Sequence, residues 1–342
     1  MNWVVLDMKV LITGGAGYLG SMICYALSDN GHKPYILDIC QPEPAPYLTG
    51  DNFYQGDIGD KELLAKIFEE NPDIEIVIHF AEKSAVWASV GKPYEYYHAN
   101  VVKSMELFKN LKDLGCKKII FASSAAIYDD VPGFMVTERS PINPRSPFAR
   151  TKYMTEMILK DFCVAYDMCC IVLRFFNPIG ADPSGRTGLR IKNSSNILSR
   201  VLKIWNGEES EFKIAGNDWI TRDGTCIRDY FHIWDLALAV VKAVENYDIA
   251  FRRADNLYKN FLPINIGSGT GVTVKEFLFA FQNVTGEKVK VVYTDRRPGD
   301  VCGSYANVNR AKNTIEWEAQ RTIEDAIIDA VRFEEEQERN NR

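Results

Sequence analysis

Short apolar, β-branched runs alternate along the first half of the chain with longer stretches whose apolar residues recur at helical spacing. Lys9-Val10-Leu11-Ile12-Thr13 predicts a buried strand, and Leu19, Met22, Ile23, Ala26 and Leu27 predict the helix after it. Tyr35-Ile36-Leu37 forms a second strand ending at Asp38, and Phe53-Tyr54-Gln55 a short third one. A helix is expected over Lys61 to Glu70, a strand over Ile74 to Phe80, and one long helix over Tyr94 to Leu114. The strand Lys118 to Phe121 and a helix from Pro147 to about Tyr166 complete the alternation. Past Phe176 the pattern weakens into mixed segments. Asp229 to Ala243 reads as a return helix, Pro263 to Gly267 as a re-entering strand, and Lys288 to Tyr293 as a strand of a second, smaller sheet.

Strand and helix alternating in this way predict right-handed crossovers and a parallel sheet whose site lies at the C-terminal strand ends. The expected fold class is α/β: a doubly wound parallel Rossmann sheet with a smaller mixed α/β substrate lobe. Residues 1–177 plus about 233–260 are assigned to the first, and about 178–232 plus 261–342 to the second. The highly charged tail from Glu334 is expected to fray.

Between the first strand and helix lies Gly14-Gly15-Ala16-Gly17-Tyr18-Leu19-Gly20. Glycines permit close backbone approach to a pyrophosphate, and the helix N-terminus presents N–H groups to an anion. Asp38, 18 residues beyond Gly20, closes a second strand and can accept hydrogen bonds from an adenosine ribose. Its carboxylate would repel a 2′-phosphate, which favours NAD over NADP. Asp57 ends the third strand, where it could reach an adenine amino group or cap the following helix. His79 reads as a packed core residue, and Gln41 to Pro46 as a surface loop.

Bulk properties narrow the picture. With 342 residues, 46% hydrophobic and 25% charged, the chain is ordinary for a soluble globular protein. A net charge of −6 without a basic stripe argues against a nucleic-acid partner. No apolar run is long enough to span a membrane, and the first residues do not resemble a signal peptide, though they suit an extra strand extension. Eight scattered cysteines, none in a CxxC pair, suit reduced thiols in the cytoplasm, with no metal site.

The motifs TGGAGYLG, VIHFA, SSAAIY, RFFNPIGADPSG, DGTCIRDY and RRPGD together resemble the extended short-chain dehydrogenase/reductase family, UDP-glucose (UDP-galactose) 4-epimerase type, from about Lys9 to Ala330. The resemblance implies a bound NAD that takes a hydride from C4 of a UDP-sugar and returns it to the opposite face. A tyrosine base, a lysine one helical turn on and an orienting serine would carry the proton chemistry. Lysine and serine match Lys152 and Ser124, but the tyrosine position holds Phe148. That suits a base-removed variant, a natural enzyme with another proton carrier, or a binding protein without turnover. A dehydratase is disfavoured because Ser124-Ala125-Ala126 lacks the adjacent Asp-Glu pair.

By the same resemblance Gly14, Gly17, Tyr18, Leu19, Asp38, Asp57, Ile58, Phe80, Ala81, Ser84, Asn100 and Lys152 contact the cofactor. Ser84 falls where the family has the lysine of Gly-Leu-Lys. Asn177, Asn196, Ile197, Leu198, Arg228, Arg297 and Asp300 join Ser124 in holding the nucleotide sugar. The aromatic expected before Gly-Asn-Asp is Ala215, which leaves Phe212 to stack on a base. Ser304 falls where glucose-restricted epimerases carry a tyrosine, so 2-acetamido sugars become plausible substrates. Two subunits are expected to pair through the helices from Tyr94 and Pro147.

Overall fold

The computed structural model describes residues 7–41, 45–48, 51–189, 196–254, 259–296 and 301–340. Five strands in the first half, β1 (Lys9–Thr13), β2 (Lys33–Asp38), β3 (Phe53–Gln55), β4 (Ile74–His79) and β5 (Lys118–Ser124), lie in one sheet. Cys169–Phe175 and Phe261–Ile266 extend it beyond β5, giving the order Phe261–Ile266, Cys169–Phe175, β5, β4, β1, β2, β3. Every pairing is parallel. Helices cover both faces, which is why the central strands are apolar on alternate and intervening positions alike. Val10, Leu11 and Ile12 are wholly buried.

Helix α1 (Tyr18–Asp29) packs against the return helix Ile233–Glu245, which His232 caps by accepting from the Trp234 N–H at 3.0 Å. Helix α2 (Lys61–Glu70) covers the other face near β3. The order of strands reverses between β1 and β4, so the crevice beyond their C-terminal ends is the switch point where such folds bind ligands. The smaller lobe has its own core, built from Leu198, Val201, Leu202, Phe212, Ile214, Phe277 and Phe281. Phe212–Ala215 pairs with Val291–Thr294 there, and Ile227–Arg228 sits between Val272–Thr273 and Gly303–Ala306.

Four details differ from the sequence reading. Phe261–Ile266 belongs to the main sheet, and Ala311 and Ile315 of the helix Asn309–Ile315 join its core, so the first lobe reclaims segments assigned to the second. The long helix is present, running from Pro93 to Asp113, but it contains a π-turn, His98–Val102, and a separate short helix, Val86–Gly91, precedes it. The tail does not fray at Glu334, because Ile323–Asn340 is one helix whose Phe333 is buried. The cap of α2 is Asp60, which accepts from the Glu62 and Leu63 N–H groups, each at 3.0 Å. Residues 1–6 and 42–44, expected as a strand extension and part of a surface loop, lie outside the described residues.

Candidate active site

The glycine turn shows why three glycines are needed and that they serve different ends. Gly14 has φ +78°, and a Cβ there would meet the Ala81 backbone at 2.6 Å. At Gly20 a Cβ would lie 2.2 Å from the Gly14 carbonyl oxygen, so this glycine lets α1 close onto the turn. Gly17 is open: its nearest neighbour would be the same oxygen at 3.5 Å, an ordinary contact. Helix α1 starts there with no side-chain cap and no acidic residue in its first turn, which suits an arriving anion. Asp38 holds the turn in place, accepting from the Ala16 N–H at 3.0 Å and the Cys40 N–H at 2.9 Å.

Beneath the turn lies a buried polar chain. His79 bridges Thr13 Oγ1 at 2.7 Å and Ser104 Oγ at 2.8 Å. Burial pushes its pKa down to about 3, with the Lys152 charge acting the same way, so the ring is neutral. It is the packed core residue expected.

Helix Pro147–Tyr166, capped by Ser146 on the Ala149 N–H at 3.1 Å, delivers Phe148 and Lys152 one turn apart to the cleft. Both are buried. The Lys152 ammonium donates to the Ala122 carbonyl and forms an ion pair with Glu82. Its Nζ lies 5.0 Å from the Phe121 ring centroid and 5.8 Å from that of Phe148. Glu82 was not singled out from sequence. The available signal was a charged residue three positions beyond the buried β4, where the family resemblance implies the glycine of Gly-Leu-Lys. Burial pushes its carboxyl pKa upward, against the opposing pull of Lys152.

These residues line one cleft of about 420 Å³, with Tyr18 and Leu19 at the turn and Ser84, Ser124 and Phe148 further along. Asn177, Asn196, Ile197, Arg228, Phe212 and Ala215 bring the smaller lobe to the same space. The Tyr18 hydroxyl donates to the Gly180 carbonyl at 2.6 Å, tying the turn to the segment that follows Asn177.

Other expected residues stand elsewhere or do other work. Ile58 and Leu198 have buried side chains in hydrophobic cores, and Phe80 stacks on Phe175 with ring centroids 5.6 Å apart. Ala81 supports Gly14 from below. Asp57 accepts from the Gly59 N–H at 2.7 Å and pairs with Lys103 at 3.4 Å, while its side chain stays half exposed. Asn100, in the π-turn, clamps the Lys83 backbone, accepting its N–H at 2.8 Å and donating to its carbonyl at 2.9 Å. The Arg228 guanidinium is held by the Ile227, Val301 and Cys302 carbonyls. Ser304 is half-buried on the neighbouring strand, in register with Arg228 and outside the cleft lining. Arg297 and Asp300 lie outside the described residues.

A parallel sheet with a glycine turn at its switch point and a Ser124, Lys152 pair in the adjoining cleft defines a dinucleotide-dependent α/β fold of the extended short-chain type. A family model described as "NAD dependent epimerase/dehydratase family" matches residues 10–254. The chain belongs to that family. It is 38% identical to a UDP-glucose 4-epimerase of Bacillus subtilis (strain 168), the match covering 96% of this chain and 97% of that one. Among solved structures, a UDP-glucose-4-epimerase from Stenotrophomonas maltophila with bound NAD and formylated UDP-arabinopyranose superposes with TM-score 0.87 and 32% identity, covering 97% of this chain and 99% of that one. One from Bifidobacterium longum in complex with NAD+ and UDP gives TM-score 0.85 and 33% identity, again over 97% and 99%.

Proposed function

We propose that this chain holds NAD and a UDP-linked hexose in the one cleft, on the scaffold of a nucleotide-sugar 4-epimerase. The convergence of Ser124, Phe148 and Lys152 on a cleft that begins at the glycine turn is the observation that carries this reading. The pocket suits the cofactor on structural grounds. Gly17 leaves an open face at the α1 N-terminus for a diphosphate, and Asp38 is already oriented against the turn for a ribose. NAD, when bound, supplies the hydride acceptor and donor. The protein's own share is to fix the 4-hydroxyl through Ser124, to present the Lys152 cation, and to exclude water with Phe148 and Phe176. UDP-glucose and UDP-galactose are the substrates tested first, and their N-acetylated forms second, because Ser304 does not line the described cleft.

Phenylalanine at 148 keeps the ring and lacks the titrating oxygen. A positioned acid or base contributes roughly 10² to 10⁴ in rate. Phe148→Tyr is therefore expected to raise turnover of UDP-galactose to UDP-glucose by about that factor, read by a coupled assay. A second reading, a nucleotide-sugar-binding protein without turnover, is favoured by Glu82 sitting on Lys152, which neutralises the cation a phenol would need. No gain in Phe148→Tyr, with UDP-sugar still bound, would establish that second reading.

Assembly is part of the same proposal. Tyr94, Met105, Met154 and Met157 expose apolar surface on the helices expected to pair two subunits, and Trp87 and Val90 add to it from the preceding helix Val86–Gly91. Light scattering is expected to give a dimer, and Met154→Glu with Met157→Glu to give a monomer; an unsubstituted monomer at micromolar concentration would refute it. Among the described residues no helix is long and apolar enough to cross a membrane.

A further inference from the structure

Glu82 is the one carboxylate among the described residues lining the cleft, and it is placed there by the main chain. It follows Ala81, whose backbone packs under Gly14, and precedes Lys83, whose N–H and carbonyl are both held by Asn100. The side chain is therefore delivered from a fixed segment between the glycine turn and the π-turn. Its carboxylate meets the Lys152 ammonium, whose side chain is only 5% exposed. Other groups facing this pair add no charge: His79 is held neutral by burial, Phe121 and Phe148 present rings, and Ala122 presents a carbonyl. Burial favours a neutral Glu82 and the close Lys152 ammonium favours its ionised form; as an ion pair the two sum to one cation and one anion, where a small residue at 82 would leave the cation alone.

We propose that Glu82 sets the redox preference of the dinucleotide pocket, cancelling the Lys152 charge so that the cationic, oxidised nicotinamide is taken in preference to the neutral, reduced one. The inference rests on the NAD reading above, with the nicotinamide taken to lie beside Lys152, the cofactor contact that the family resemblance implies. The physical basis is a charge difference between two ligands of nearly the same shape. A pyridinium ring entering beside an uncompensated ammonium is repelled, whereas the dihydropyridine ring is indifferent to it. Two unit charges several ångströms apart in a partly screened cleft differ in affinity by about tenfold. Packing, hydrogen bonding and the diphosphate site act on both forms alike, so they drop out of the ratio.

The test measures dissociation constants for NAD⁺ by calorimetry and for NADH by fluorescence, on protein stripped of copurified nucleotide. Glu82→Gln, which keeps shape and hydrogen-bonding capacity, is expected to shift the ratio about tenfold toward NADH. Lys152→Met leaves the carboxylate alone and is expected to shift it by about the same factor toward NAD⁺. Opposite signs are the signature, since damage to the pocket would weaken both ligands together. Should Glu82→Gln fail to fold, Glu82→Ser, which also removes the charge, is read in its place and is expected to shift the ratio in the same direction. An unmoved ratio in a folded variant, with both nucleotides still bound, overturns the role of Glu82 and leaves the cofactor reading standing. An unsubstituted protein that binds neither nucleotide overturns both.

Discussion

The two ends of the cleft are built by different means. At the turn, main-chain atoms make the site: φ +78° at Gly14, the Gly14 carbonyl against Gly20, and the open face at Gly17. At the far end, side chains make it: Lys152, Glu82, Phe148 and Ser124 meet from a helix, a loop and a strand far apart in the chain. The first end has little freedom to vary, because any Cβ at Gly14 or Gly20 collides with backbone. The second can exchange a phenol for a phenyl ring or a glycine for a carboxylate while the fold persists. By the resemblance drawn from the sequence, the turn matches the family pattern and the side-chain end departs from it at Phe148.

The sharpest way to break that contrast is to load the glycines one at a time. Gly20→Ala puts a methyl group into the Gly14 carbonyl and the Gly15 Cα, where a Cβ would sit 2.2 and 2.6 Å away. Neither atom can rotate aside, so the apo protein should lose roughly 1–3 kcal/mol in urea denaturation. Gly17→Ala meets only an ordinary 3.5 Å contact. It should unfold near the unsubstituted midpoint yet bind NAD more weakly, because its methyl group occupies the face left for the diphosphate. Equal loss of stability in both variants would show that the turn is purely structural and would remove the main-chain half of the comparison.

The same division explains what could be read from the sequence. A glycine turn between a strand and a helix is local, so its residues announce themselves by spacing, and Asp38 follows because the second strand must end there. The Glu82 and Lys152 pair is not local. It depends on how the loop after β4 meets the helix Pro147–Tyr166, and no periodicity encodes that meeting. The π-turn His98–Val102 was hidden for a related reason: its apolar spacing continues a helix, while Asn100 gains two backbone hydrogen bonds to Lys83 that only the tertiary fold provides. Charge at the chain's end also misled, since Glu334 to Arg339 suggested fraying. Ile327, Ala330 and Phe333 nevertheless continue a buried stripe on that helix. At α2 the sequence offered Asp57 as a possible cap, but the Glu62 and Leu63 N–H groups point to Asp60 instead.

The smallest expected effect bears on how far the turn depends on a side chain at all. Asp38 uses one carboxylate oxygen for the Ala16 N–H and the other for the Cys40 N–H, so it is both a brace of the turn and the candidate ribose acceptor. Asparagine in its place retains one acceptor oxygen and loses the charge. The brace to Ala16 can survive through that oxygen, while the repulsion against a 2′-phosphate disappears. Opposite or like charges a few ångströms apart near a protein surface are worth about 1–4 kcal/mol. Screening in an open cleft puts the expected gain at the lower end, about tenfold in NADP affinity relative to NAD. Isothermal titration of both cofactors with Asp38→Asn reads this ratio directly. A changed ratio with an unchanged NAD constant would make charge the only contribution of Asp38 to the cofactor end. A loss of both affinities together would instead make Asp38 a brace, and the turn would then depend on a side chain as the opposite end of the cleft does.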